Sequence, residues 1–397
     1  MSPAQGRVLP REKIIFARKE VETDFKCDWT RPAGNEVVVS AVDINNWLIV
    51  YPHQKEGIVE KFCKLSIDCS RRTGINLSMP VTIPLRDDRP DTYYNEIKKN
   101  LNEHIQMVVI IFNMISDSRY ARVKRLCCIE CPVPSQVICL KTINKADNVL
   151  RTVAQKIILQ MNVKLGGELW RLSIPVKKAM IVGIDVYHKT EKKYKSLAGF
   201  VSSLNHDQTK WYSKVCFQMV GQELTDTLKI AFMQSLKKYQ EVNNFLPDKI
   251  FIYRDGVSEG QLAHVAEHEV QQLRSCFAND YSPQIAVIVV QKRINTRIFA
   301  IQGRDAVNPP PGAVLDHSIT SKDNFDFFLV SQHVGQGTVT PTHYIVAYDD
   351  TQMKPDHIQR LSYKMTHLYY NWSGTIRVPA PCQVMPYFIK IDLYLFI

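Results

Sequence analysis

The stretch AMIVGIDVYHKTEKKYKSLAGFVSSLNHDQTKWYSKVCFQMV, residues 179–220, decides the fold class of this chain. It contains three apolar segments separated by short polar spacers, a pattern typical of successive antiparallel strands. We place these strands at 179–187, 196–204 and 213–220. The first two turns are therefore predicted to be hairpins.

Downstream, helical and apolar segments alternate. We predict a helix at about 223–239, the strand KIFIYRD (249–255), a helix at about 259–276 and the strand IAVIVV (285–290). Three antiparallel strands followed by helix, strand, helix and strand is the order of a ribonuclease-H-like fold.

Upstream, strands and helices alternate from residue 47 onward, which indicates a parallel, three-layered α/β domain. Its strands are predicted at 47–51, 81–85, 107–112 and 136–140, and its helices at 93–103, 116–129 and 148–163. The first 45 residues show no sustained period, so we interpret them as a linker. The predicted organisation is a linker (1–45), a first α/β domain (46–173) and a second (174–397). Two unrelated α/β domains would fit the periodicity nearly as well.

The chain is basic, with a formal net charge of +11 over 397 residues. Such a surplus favours a polyanionic partner, because cationic side chains displace the counterions condensed on phosphate backbones. Ribosome-associated, membrane-surface and heparin-binding proteins share this feature, so charge alone leaves these classes open.

Targeting and cysteine patterns point to a reducing compartment, the cytosol or the nucleus. The N-terminus lacks the apolar core of a signal peptide, and the apolar run MVVIIFNMI (107–115) is too short to span a bilayer. Ten cysteines at irregular spacing indicate reduced thiols. Cys127, Cys128 and Cys131 suggest zinc, yet a second ligand pair at finger spacing is missing, which favours buried or incidental thiols.

Two aspartates lie near the ends of strongly apolar predicted strands. Asp185 and Asp255 would be costly to bury unless they were paired, hydrogen-bonded or bound to a metal. If the strands are neighbours, one or two Mg²⁺ ions would relieve the repulsion and could hydrolyse a phosphodiester. The alternative is that each aspartate caps the turn or helix that follows it.

Polar side chains in the first α/β domain recur at helical spacing. Tyr120 and Lys124 share one helix face, Gln160 and Lys164 repeat the spacing, and Gln136 opens the strand between them. Together they would suit a terminal phosphate, since lysine supplies charge while glutamine and tyrosine supply directed hydrogen bonds. The tyrosine ring could also stack on a base. A solvated helix face with a lysine at every turn is the alternative.

Taken together, the segments resemble the Argonaute superfamily, and within it the Piwi subfamily. The resemblance covers about residues 47–383, and QKIILQMNVKLGGELW (155–170) is similar to the junction of the MID and PIWI domains. Its specific marks are IPVKKAMIVGIDVYH (174–188), IFIYRDGVSEGQL (250–262), VIVVQKRINTRIF (287–299), NPPPGAVLD (308–316), PTHYIVAYDD (341–350), LSYKMTHLYYNW (361–372) and VPAPCQ (378–383).

The resemblance implies a Rossmann-like MID domain (46–173) and a ribonuclease-H-like PIWI domain (174–397). The MID residues that match the pocket for a guide's 5′ phosphate are Tyr120, Lys124, Gln136, Gln160 and Lys164. In the PIWI domain, Asp185 and Asp255 match two members of a catalytic tetrad that binds Mg²⁺ or Mn²⁺, and Glu223 matches a third. Piwi proteins also hold a metal ion at the MID pocket, near the position of Gln160. Without the resemblance, we would interpret Glu223 as a negatively charged side chain in the first turn of a helix.

Two departures from the family pattern stand out. The sequence has no match to the family's upstream N-terminal and PAZ domains, so we expect the usual grip on the guide's 3′ end to be missing. After Gln383 the family continues with tyrosine, alanine and the histidine that is the fourth catalytic residue, whereas here Pro386 occupies the histidine position. We therefore expect an atypical PIWI domain after residue 383.

The function implied is binding of a PIWI-interacting RNA by its 5′ phosphate, for transposon silencing in germ cells. A complementary target RNA and Tudor-type or other silencing proteins are the implied partners, without a membrane, in the cytoplasm or nucleus. The family's endonuclease reaction is expected to be impaired. Two alternatives stay open: an active RNA endonuclease in which His188 or His343 replaces the missing ligand, and a non-catalytic fragment that docks partners.

Overall fold

The computed structural model describes residues 4–188, 194–219, 224–257, 260, 262–277, 280–321 and 324–384. The contacts between these residues form two compact units. The smaller unit comprises residues 15–21 and 30–170, and the larger comprises residues 4–14, 22–29 and 171–384. The predicted division between the two α/β domains lies between residues 173 and 174, whereas the two units of the structure divide between residues 170 and 171.

The strands of the described chain are β1 (Arg7–Val8), β2 (Lys13–Ile15), β3 (Glu20–Glu22), β4 (Trp47–Pro52), β5 (Val81–Leu85), β6 (Met107–Phe112), β7 (Ser135–Cys139), β8 (Ala179–His188), β9 (Tyr194–Ser203), β10 (Trp211–Met219), β11 (Lys249–Asp255), β12 (Gln284–Gln291), β13 (Ala300–Gln302), β14 (Asp305–Val307), β15 (Ala313–Leu315), β16 (Asp326–Val330) and β17 (Thr342–Asp349). The α-helices are α1 (Thr30–Ala33), α2 (Glu56–Thr73), α3 (Pro90–Asn100), α4 (Asp117–Arg125), α5 (Leu140–Ile143), α6 (Asp147–Lys164), α7 (Leu224–Asn243), α8 (Leu262–His264), α9 (Val270–Arg274) and α10 (Pro355–Met365).

The smaller unit is built on a parallel sheet with the strand order β5-β4-β6-β7. Every residue of β4 and β6 is buried, as expected for parallel strands that are covered on both faces. α2 packs against α6. Ser116 caps the start of α4, since its hydroxyl accepts the Arg119 backbone N–H at 3.4 Å. The helix expected at 116–129 is α4, which continues as a π-helical turn over Leu126–Glu130.

The larger unit contains a mixed sheet with the order β1-β15-β16-β17-β12-β11-β8-β9-β10. β8, β9 and β10 pair antiparallel, so the two predicted hairpins are confirmed. β11 lies between β8 and β12 and is parallel to both. This is the ribonuclease-H-like order that the sequence predicts. Its core joins the inner faces of these strands to α7 through residues such as Ile184, Phe200, Phe232 and Ile252.

The N-terminal segment, interpreted above as a linker, carries short strands and buried side chains. In β1, Arg7 pairs with Val314 of β15. Glu12 is buried and forms an ion pair with Lys364 of α10, while the ring of Trp29 stacks on His367 at 5.6 Å between centroids. Strands of two or three residues are too short to show a hydrophobic period. The missing period is the reason that the sequence suggested a linker.

Candidate phosphate-binding and carboxylate sites

Two lysines of the smaller unit converge on the first residues of β7. Lys124 of α4 donates from Nζ to the Ser135 hydroxyl at 2.7 Å and to the Ser135 carbonyl at 3.3 Å. Lys164, the last residue of α6, donates to the same carbonyl at 2.8 Å and to Gln136 Oε1 at 2.6 Å. The elements α4, α6 and β7 therefore hold the Lys124 and Lys164 ammonium groups around the carbonyl of Ser135.

The electrostatics of this lysine pair favour an anion. Burial, and then the neighbouring charge of Lys124, lower the pKa of Lys164 to about 7. Burial also lowers the pKa of Lys124. Within the described ranges, neither ammonium has a carboxylate at ion-pair distance. Two buried like charges without a counter-ion are unfavourable, so an incoming anion would be strongly stabilised.

The other predicted residues of this site lie nearby on the same elements. The Tyr120 ring is one turn before Lys124, whose Nζ is 5.8 Å from the ring centroid. Gln160 is half-buried, one turn before Lys164 on α6. Hydrogen bonds to Ser135 and Gln136 join Lys124 and Lys164 in this cluster. Sequence reasoning missed Ser135, because a serine that opens a strand carries no pattern of its own.

In the larger unit, Asp185 and Asp255 face each other across neighbouring strands. They are direct register partners in the parallel pair β8–β11, so the two strands are neighbours, which is the condition for a shared metal site. Registered residues of a parallel pair point to the same face, with strands about 4.8 Å apart. After Asp255 the chain turns at Gly256, whose φ is +77°, and a Cβ there would lie 3.4 Å from Asp185 Oδ1. The turn therefore brings the backbone close to both carboxylates.

The charge of Asp255 affects the protonation of Asp185. The pKa of Asp185 is raised, first by burial and then by the negative charge of Asp255. Asp255 is 2% exposed; its Oδ1 accepts the Gly256 N–H at 2.8 Å and its Oδ2 is in an ion pair with Lys292 Nζ. Cys382 is fully buried, and its pKa is raised by burial and by the charge of Asp255. Lys292 was missed by sequence reasoning, although it follows β12, the strand next to β11.

A hard divalent cation fits this pair in part. Mg²⁺ and Mn²⁺ prefer carboxylate oxygens, which Asp185 and Asp255 supply. The described residues contain no cluster of three or more His, Cys, Asp or Glu side chains suited to a metal. Glu223 and Pro386 lie outside the described residues, as does the side chain of His188.

His343, considered above as a substitute ligand, is engaged in another network. Its Nε2 is 2.5 Å from Asp326 Oδ2, its Nδ1 is 3.2 Å from Gln291 Oε1, and its ring stacks on Phe328 at 4.2 Å. These contacts hold the imidazole between β12 and β16, so a role as ligand would require it to leave them.

Comparison with known proteins agrees with this geometry. The family model described as Piwi domain matches residues 85–389. The chain is 47% identical over 383 residues to Piwi-like protein Ago3 of Bombyx mori, covering 95% of this chain and 41% of that protein. The chain belongs to the Piwi family of Argonaute proteins. It is also 41% identical over 382 residues to Piwi-like protein 1 of Gallus gallus, of which it covers 44%. The Piwi chain thus spans less than half the length of these relatives.

Solved structures resemble this Piwi chain over nearly its whole length. The crystal structure of Drosophila Piwi superimposes with a TM-score of 0.89 at 30% identity, covering 98% of this chain and 54% of that one. The C-terminal lobe of a budding yeast Argonaute gives a TM-score of 0.85 at 22% identity and covers 89% of that chain, a likeness of fold. No helix among the described residues of the Piwi chain is long and apolar enough to cross a membrane.

Proposed function

We propose that this chain binds single-stranded guide RNA through the RNA's 5′ phosphate. The observation that carries the proposal is the convergence of the Lys124 and Lys164 ammonium groups on Ser135 without a carboxylate at ion-pair distance in the described chain. A terminal phosphate carries a charge of about −1.5 to −2 near neutral pH and three acceptor oxygens, so one ligand can satisfy both lysines. The Gln136 and Gln160 amides and the Tyr120 ring would add hydrogen bonds and base stacking.

The test compares RNA of one sequence with a 5′ phosphate or a 5′ hydroxyl. We expect the phosphorylated RNA to bind more tightly, because a charge-assisted contact contributes about 1.5–3 kcal/mol. Losing one such contact weakens binding by about tenfold or more. Lys124→Ala together with Lys164→Ala should therefore bring the two affinities together.

Lys156→Ala, at an exposed position two turns before Lys164 on α6, serves as a control. It removes one positive charge from the same helix and should preserve the preference for the phosphate. Equal affinity of the unaltered chain for both RNAs would contradict the phosphate assignment.

The wider role that we propose follows from family membership. The RNA is a PIWI-interacting RNA, and the bound guide directs silencing of complementary transposon transcripts in germ cells, with Tudor-type or other silencing proteins as partners. The proposed compartment is the cytoplasm, including perinuclear granules, or the nucleus. Co-purification of small RNAs bearing 5′ phosphates with the chain from germ cells tests this role.

A second candidate function is metal-dependent cleavage of the target RNA, and the register pairing of Asp185 with Asp255 favours it. Asp185, Asp255 and Glu223 would hold Mg²⁺ or Mn²⁺, which would activate water against a phosphodiester. Burial and the charge of Asp255 raise the pKa of Asp185, so a cation bound at this pair would be stabilised, and the Gly256 N–H orients Asp255 through its Oδ1. Pro386 replaces the expected histidine ligand, so we propose that guide binding persists while cleavage is impaired.

A further inference from the structure

Lys292 already provides a positive charge at the carboxylate pair. It follows the last residue of β12, and Asp255 is the register partner of Val290 in that strand. The Lys292 side chain reaches back so that Nζ forms an ion pair with Asp255 Oδ2. The Asp255 side chain is 3% exposed and the Lys292 side chain is 34% exposed. The lysine therefore approaches a buried carboxylate from the solvent side.

The two oxygens of Asp255 differ in their partners. Oδ1 accepts the Gly256 N–H, whereas Oδ2 is buried and makes no well-aligned hydrogen bond with any described residue. The Lys292 ammonium is thus the ion-pair partner of Oδ2 among the described residues. An ammonium is a point charge without the fixed, bidentate geometry of a guanidinium, so another cation can take its place at the same oxygen.

One ammonium does not fully offset two carboxylates. Lys292 lowers the pKa of Asp185, yet burial and Asp255 outweigh it and the pKa of Asp185 stays raised. A divalent cation supplies twice the charge to the same oxygens. Lys292 can withdraw without rearranging its own backbone, because the Arg377 guanidinium donates to the Lys292 carbonyl and holds it in place.

We propose that Lys292 is the counter-cation of the metal-free carboxylate pair, and that its ammonium occupies Asp255 Oδ2 and leaves when a divalent ion binds. The proposal rests on the second candidate function, because it requires a metal site at Asp185 and Asp255. It has two consequences. Lys292 weakens divalent-ion binding by competition, and it stabilises the metal-free chain by reducing repulsion between the aspartates.

The experiment measures Mn²⁺ binding to the full chain without RNA, by the electron paramagnetic resonance signal of free Mn²⁺. Lys292→Met removes the charge and preserves much of the side-chain length, while Lys292→Arg retains the charge as the matched control. Asp255→Asn identifies the ions that depend on this site. We expect Lys292→Met to bind the Asp255-dependent ion about tenfold more tightly, equivalent to about 1.4 kcal/mol, and Lys292→Arg to behave as the unaltered chain.

Thermal unfolding gives a second readout. In chelator, Lys292→Met should melt at a lower temperature than Lys292→Arg, and Mn²⁺ should raise the melting temperature of Lys292→Met by more than that of the unaltered chain. If Lys292→Met does not fold, Lys292→Gln takes its place in both measurements.

The outcomes separate the two proposals. Asp255-dependent Mn²⁺ binding that is unchanged or weaker in Lys292→Met would overturn the counter-cation role and leave the metal site standing. Mn²⁺ binding that is identical in Asp255→Asn and the unaltered chain would overturn the metal site, and the counter-cation role with it.

Discussion

At Lys164, the surroundings of one side chain set the conditions under which a ligand binds. Its pKa of about 7 means that the ammonium form, which an anion requires, is only partly populated at neutral pH. Burial is the larger cause, and the charge of Lys124 adds to it. A bound phosphate would favour the charged form and raise this pKa.

The first prediction concerns the pH dependence of guide binding. Above pH 7 the free chain must take up a proton at Lys164 to bind the phosphate, so affinity should fall from pH 7 to pH 9, by at most about tenfold per pH unit for one proton. Below pH 6 affinity should also fall, because the second ionisation of a phosphate monoester has a pKa of about 6. Filter-binding titrations at several pH values, with 5′-phosphorylated RNA, measure the profile.

Lys164→Arg is the matched control, since a guanidinium stays charged throughout this range. Most of the alkaline decline should disappear in this variant, and RNA with a 5′ hydroxyl should show no comparable decline. A decline of the same size in Lys164→Arg would assign the titration to another group.

At the scale of single residues, the sequence predicts the placement of side chains that a regular helix or strand positions. Asp185 and Asp255 could be predicted as neighbours because both lie near the ends of apolar strands, and parallel strands bring such ends to one edge of a sheet. Ser135 and Lys292 could not, since each acts through a contact between elements distant in sequence. The contacts of His343 with Asp326 likewise depend on strand pairing that its own segment does not encode.

Among the elements, β8 shows how packing constrains a single position. Gly183 lies opposite Pro381, in the short helical segment 380–384 that also carries Cys382. A Cβ at Gly183 would be 2.7 Å from Pro381 Cβ and 3.2 Å from the Pro381 backbone carbon. The closeness of β8 to this segment therefore depends on glycine.

The second prediction is that Gly183→Ala destabilises the chain by about 1–3 kcal/mol, the usual cost of inserting an atom into a packed interior. The proline ring and its backbone cannot rotate away as a flexible side chain would. Urea unfolding measures the change in the free energy of unfolding.

Gly335→Ala is the control for this substitution. A Cβ at exposed Gly335 meets no atom within 4 Å, so stability should change little. Equal stability of the two alanine variants would contradict the close packing of Pro381 on β8.

The strands could be predicted from sequence more completely than the helices. Continuous apolar runs predict β4, β6, β8 and β12, because strands covered on both faces of a sheet need mostly apolar residues. The predicted helix 259–276 is instead interrupted: α8 is followed by a π-helical turn over Val265–Glu269 and by α9, which ends at Arg274. Helical periodicity alone does not distinguish a continuous helix from one with such a turn.

For the molecule as a whole, we predict that this chain binds a guide yet cleaves its target poorly. Three carboxylates at Asp185, Glu223 and Asp255 would supply oxygen ligands, while Pro386 offers no lone pair in the position of the family's histidine. The assay loads a 5′-phosphorylated guide, adds a complementary labelled RNA with Mg²⁺ or Mn²⁺, and follows the product opposite the guide.

The matched control replaces residues 384–397 with a family-type tail that restores the histidine. Recovery of cleavage in this chimera, abolished again by Asp255→Ala, would support the assignment. Efficient cleavage by the unaltered chain, dependent on Asp255, would show that another group fills the ligand position.

The pairing of β1 with β15 has a consequence for how the protein is made. Arg7 and its partner Val314 lie 307 residues apart in the sequence, so the ribosome adds Arg7 well before it adds Val314. At about 5–20 residues per second, the first strand waits on the order of tens of seconds for its neighbour. Residues 30–170 are complete long before that and can fold during the wait. During that interval the peptide groups of β1 lack their β15 partners, so this edge of the sheet is completed late in synthesis.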